Sequence, residues 1–287
     1  VNQLNEINPY LQSLFTSATT MKATGFIGLA SCLAWGLGYF GMPHILVRFM
    51  SIDNPAEVKG SRRIAMTWVT ISLGAAIVIG LVFHLYLKMR GLTLQDVGGD
   101  PERMFMIMIN GIFSTGFFAR VLAGLLLSAI MAAIMSTADS QLLVSASSFS
   151  NDLYKVVLRK KASNRELIFV SRLAVAAVAI AAIALAMNTD SAFFKVVMKM
   201  VSFAWAGFGA AFGPLILLAL FWKRTNLAGA ISGMVVGAVT CFVWKFGVSA
   251  DYLAAHPDSI LNLYELVPGF IFAFAAIVVV SLVTGKP

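Results

Sequence analysis

The chain has 287 residues, of which 59% are hydrophobic and only 12% are charged, and its net charge is +8. Soluble domains carry about 25% charged residues, so this composition excludes an ordinary soluble domain and points to a membrane protein. The positive balance is not a nucleic-acid footprint, because the basic residues fall in short loops between apolar runs, where they set topology; no nucleic-acid partner is expected.

In chain order, residues 1–24 read as a polar, extracytoplasmic connecting segment. They open at Val1 with no Met and no signal-peptide pattern, which suggests a fragment lacking its N-terminal part. Seven apolar runs then follow at roughly 25–49, 64–87, 121–147, 167–187, 197–222, 227–248 and 267–283. Each approaches the ~20 residues that a helix needs to cross a bilayer. The expected fold class is therefore an all-α membrane protein with about seven transmembrane helices. The stretch 101–119 is amphipathic and less apolar, and reads as an interfacial or re-entrant helix. Arg48, Lys59, Arg62 and Arg63 occupy one loop, and Lys155, Arg159, Lys160, Lys161 and Arg165 another. The positive-inside rule puts both loops and the C-terminus in the cytoplasm.

The first run contains Trp35-Gly-Leu-Gly-Tyr-Phe-Gly-Met-Pro-His44. Gly36, Gly38 and Gly41 satisfy a GxGxxG spacing formally, but no strand precedes them and no acidic residue follows in a βαβ unit. Three glycines and Pro43 within one membrane helix instead predict a break. Unwound backbone is tolerated at membrane depth only inside protein or beside a cavity. Trp35 and Tyr39, four apart, point the same way and would wall such a cavity. A close-packing glycine face with a proline kink is the plainer alternative.

The third run carries Ala133, Ser136, Thr137 and Ser140 on one helical face, with Asp139 at its edge. Hydroxyls, a backbone carbonyl and a carboxylate are hard oxygen ligands suited to a small alkali cation. The alternative is that each hydroxyl bonds back to the preceding turn. The stretch from Ser202 to Pro214 alternates small residues with aromatics and suits close helix packing. Cys32 and Cys241 are isolated in apolar segments and read as small buried hydrophobes. No nucleophile–base pair, metal-protease motif or P-loop appears, so an enzyme is not expected.

At these residues the sequence resembles the sodium/solute symporter family, and within it the proline-carrying bacterial branch. The resemblance rests on the stretch 35–44, on Leu126-Leu-Ser-Ala-Ile-Met-Ala-Ala-Ile-Met-Ser-Thr137, on 202–214 and on 267–272. It implies a leucine-transporter-type fold of two inverted five-helix repeats. Residues 25–222 would be the second repeat and 223–287 two peripheral helices, with the N-terminal half missing and transport by this portion alone not expected. By the same match, Ala133 would offer its carbonyl and Ser136 and Thr137 their hydroxyls to Na+, the coupling ion, with Asp139 at lower weight. Trp35, Gly36, Gly38 and Tyr39 would bind proline, and Pro43 would shape or gate its exit. No cofactor is implied. The implied setting is the bacterial inner membrane, as a multi-pass protein in lipid. The alternatives are a sodium symporter for pantothenate or a short carboxylate, and a transporter-derived membrane sensor.

Overall fold

The computed structural model describes residues 25–97, 101–187, 197–248, 250–256 and 259–285; the connecting segment expected at 1–24 lies outside them. Among the described residues the chain is helical, without strands. Six helices are long and apolar enough to cross a membrane, or seven if one bent pair counts as a single span.

That bent pair is the first apolar run. Helix α1 (Phe26–Gly38) gives way to a single 3-10 turn (Tyr39–Gly41), and α2 (Pro43–Met50) continues at an angle of 54°. Met42 between them is extended (φ −81°, ψ 114°), the conformation that a following proline imposes. Pro43 sits in the first turn of α2, where its missing N–H removes no hydrogen bond. The break forecast from the glycines and the proline is present.

Helix α3 (Val58–Arg90) stops at Gly91, which takes the left-handed conformation (φ 64°) favoured by glycine at a helix C-terminus. The stretch 101–119 resolves into a 3-10 turn (Pro101–Arg103) and the nine-residue helix α4 (Met104–Ile112), while its last residues open the next helix. Nine residues rise only about 14 Å, too little to span a bilayer. Helix α5 (Phe117–Ser147) runs on as a π-helical segment (Ser148–Leu158). Helix α6 (Asn164–Ala186) starts at Ser163, whose Oγ accepts the Glu166 N–H at 3.3 Å, half of a capping box. The remaining helices are α7 (Val197–Phe221), α8 (Leu227–Phe246), the short α9 (Ala250–Ala255) and α10 (Leu266–Val283). Asn226 caps α8 by accepting the Gly229 N–H at 2.8 Å.

The chain divides into two compact units. The first includes Ile52–Ser140 and packs α4 on the end of α3 through Phe83, Leu87 and Met108. Arg90 closes this contact, donating to the Gly111 carbonyl at 3.1 Å while its guanidinium lies 5.2 Å from the Tyr86 ring centre. The second unit joins Gly25–Ser51 to the chain from Gln141 onward, and its core is Ala206, Ala210, Cys241, Leu266 and Phe270. Here α8 presents Gly229, Gly233 and Gly237 on one face, all buried. Any β-carbon at these positions would collide with Ser281, with Ile277 or with the Ala210 carbonyl. Lipid tails are as apolar as leucine, so membrane helices gain their contact from close approach, which such small residues allow.

Candidate functional site

The second unit gathers four aromatic or polar groups around the break. In an unbroken helix the Trp35 carbonyl would accept the Tyr39 N–H, but α1 ends at Gly38 and that amide turns to Leu37. The Trp35 carbonyl accepts the Trp205 indole N–H at 2.9 Å instead, which ties α1 to α7. The approach is close because Gly38 and Gly209 leave room. A β-carbon on Gly209 would lie 2.8 Å from the Gly38 Cα, and one on Gly38 would enter the Trp205 ring. Gly41 likewise fits only because it has no side chain against the Phe208 carbonyl. Gly36 has open space around it.

Trp35 stacks on Trp205 (centroids 5.7 Å, 25° between planes) and on Tyr264 (6.1 Å, 13°). Tyr39 is exposed and meets Trp205 edge-on at 4.8 Å. Trp35, Ser31, Cys32, Lys199, Lys245 and Tyr264 line a cavity of about 300 Å³. Across the break, Met42, Pro43, His44, Gln141, Ser145 and Phe208 line a second one of about 190 Å³. Burial first, and then the Glu265 charge, push the proton affinity of the Tyr264 hydroxyl up, so it remains a donor to the Ser202 carbonyl at 2.6 Å.

The first unit holds the hydroxyl face of α5. Ser136 Oγ donates to the Ala133 carbonyl at 2.9 Å and Thr137 Oγ1 donates to the same carbonyl at 3.4 Å, so three oxygens converge on one point. Ser140 bonds back to the Ser136 carbonyl at 2.8 Å. Ala133, Ser136, Thr137 and Asp139 are all exposed. Each group of sequence-selected residues thus lies within one unit: Ala133, Ser136, Thr137 and Asp139 in the first, and Trp35, Gly36, Gly38, Tyr39 and Pro43 in the second.

Comparison with known proteins gives the family. A model of the sodium:solute symporter family matches residues 1–237. The chain belongs to the sodium:solute symporter family. The high-affinity proline transporter PutP of Bacillus subtilis is 42% identical over all of this chain and 54% of its own length. The sodium/proline symporters of Haemophilus influenzae (44% identical, 98% of this chain, 52% of the relative) and Escherichia coli (42%, 96% and 51%) are also similar. The chain spans about half the length of the curated relatives it matches. No solved structure matches it.

In this symporter-family chain several residues at the break escaped the sequence reading. Tyr264 reaches Trp35 from 229 positions further along the chain, and no local pattern signals that contact. Trp205 stood inside a stretch read as suited to close packing, yet its indole fills the carbonyl that the break released. No sequence pattern singled out Glu265. Glu265 is 5% exposed and ion-paired with Lys245 at 3.3 Å, and its Oε1 has no other partner among the described residues. The glycines of α8 recur every fourth residue and were legible as a packing stripe, a signal left unread.

Proposed function

We propose that this chain supplies half of a sodium-coupled proline symporter that works by alternating access in a bacterial inner membrane, with its C-terminus in the cytoplasm. The observation that carries the proposal is 42% identity along the whole chain to a protein named as a proline transporter. The broken helix supports it, because a cavity beside opened backbone is how secondary transporters bind solutes at membrane depth. In this reading residues 25–222 form the second five-helix repeat and 223–287 carry two further helices. The first repeat, as long again, is supplied by the other half that the relatives possess, and the assembled protein sits in lipid.

Sodium is cargo. It would be held by the Ala133 carbonyl and the Ser136 and Thr137 hydroxyls, with Asp139 adding charge at the edge. The three converging oxygens fit a hard cation, since each hydroxyl can turn its proton away and offer a lone pair. Proline would bind at Trp35 and Tyr39 with the backbone of Gly36 and Gly38, and leave past Pro43. The two ligands share one coupling free energy, so each should tighten the other by the same factor.

The test is uptake of labelled proline by membrane vesicles. It is run for this chain alone and for a full-length parent carrying the upstream half. The expected outcome is sodium-dependent uptake by the full-length protein only. Sodium-dependent uptake of pantothenate or a short carboxylate, with none of proline, would overturn the solute assignment; uptake by this chain alone would overturn the division into halves.

A further inference from the structure

The geometry points to Tyr264 as a positioning residue for the solute pocket: with Trp205 it stacks on Trp35 and fixes the plane of its indole, leaving the indole N–H unpaired beside the cavity. The inference rests on the reading of Trp35 as part of that pocket, and adds to it a residue from the connection between α9 and α10.

Two rings lie nearly parallel to Trp35, at 5.7 and 6.1 Å, and make no ring contact with each other. Offset stacking at such distances is the favoured aromatic geometry. Both stacked rings cover indole surface that a cation could otherwise occupy. The Trp35 indole N–H has no partner among the described residues, although Trp35 lines the cavity of about 300 Å³. An unpaired N–H donor suits an acceptor on the solute, such as the carboxylate of an amino acid.

Tyr264 is held in a way that a simple connection does not require. Its amide donates to Ser31 Oγ at 3.0 Å on α1, and its hydroxyl donates to the Ser202 carbonyl at 2.6 Å on α7. On one side, the Leu263 carbonyl accepts the Trp244 indole N–H at 2.9 Å. On the other, the Glu265 carboxylate pairs with Lys245, and its backbone carbonyl accepts the Cys241 thiol at 3.4 Å. Three consecutive residues are thereby fixed to α1, α7 and α8. Burying a carboxylate is costly even when it is paired, which makes Glu265 an expensive way to close a loop. The outcome of all these bonds is one ring held flat against Trp35.

Proline KM, the sodium concentration for half-maximal uptake and the amount of inserted protein are measured in a full-length parent. The variants are Trp35→Ala, Tyr264→Ala, Tyr264→Leu, Tyr264→Phe and the double variant Trp35→Ala/Tyr264→Ala. Loss of one stacked aromatic contact predicts a proline KM raised about three- to tenfold by Tyr264→Ala, with sodium half-saturation and maximal rate per inserted protein unchanged. Tyr264→Phe keeps the ring and should stay within about twofold of the parent. The double variant should match Trp35→Ala alone, because Tyr264 acts through Trp35. If Tyr264→Ala does not insert, Tyr264→Leu keeps bulk without a ring and carries the same expectation. An unchanged KM in the inserted Tyr264 variants beside a raised one in Trp35→Ala overturns the positioning role and leaves Trp35 in the pocket. Losses that multiply in the double variant also overturn it. No KM effect of Trp35→Ala overturns the pocket assignment itself.

Discussion

Ser136 and Thr137 show how much a single side chain can carry when its partners are local. Both hydroxyls bend back to one carbonyl, which is the ordinary habit of such residues in membrane helices. The same habit gathers three oxygens in one place, and each hydroxyl could turn its proton away to face a cation. Thr137→Val keeps the shape and removes one oxygen. A hydrogen bond or ligand contact to a charged partner is worth about 1.5–3 kcal/mol, so in a full-length parent the sodium needed for half-maximal proline uptake should rise about tenfold or more. Membrane insertion should stay normal, and an unchanged sodium requirement would remove Thr137 from the ion site. These residues were legible in the sequence because their spacing of three and four positions lies within one helix, and helical geometry alone puts them together.

At the scale of elements, the two glycines ahead of the helix break do different work although they look alike in the sequence. Gly38 lies against the Trp205 ring and the Gly209 backbone, whereas a β-carbon on Gly36 would meet nothing within 4 Å. Gly38→Ala should therefore destabilise the second unit by about 1–3 kcal/mol through overpacking. Gly36→Ala should be neutral or stabilising by up to about 1 kcal/mol, since alanine favours the helix. Thermal unfolding of the two variants in detergent separates the cases, and equal losses would contradict the packing described for Gly38. The break itself could be read from Pro43 and the glycine count. Which glycine touches α7 could not, because that contact joins residues far apart in the chain, Gly38 and Trp205.

For the whole molecule, burial is uneven. In the most apolar windows of α3 and of α5 with its π-helical extension, 6% of the residues are buried, against 39% in those of α7 and α10. The second unit therefore holds its own tertiary core, while the spans of the first offer most of their apolar surface to lipid or to other protein. Opening free energy follows buried contact. In detergent, amide hydrogen exchange should be slowest in α7, α8 and α10 and faster in α3. Equal protection throughout would show that the first unit has partners of its own within the chain.

Legible from sequence alone were the membrane setting, about seven apolar spans, the break at Gly38–Pro43 and the hydroxyl face of α5. Each follows from hydropathy or from helical period, which act over a few turns of backbone. The surroundings of the break came from tertiary packing: Trp205 on the freed carbonyl, Tyr264 against Trp35, and Glu265 buried beside Lys245. Those contacts join distant segments through ring stacking and charge pairing, and depend on how α1, α7, α8 and α10 pack. No local spacing encodes that packing, because the same aromatic and charged residues would serve equally well at a lipid interface.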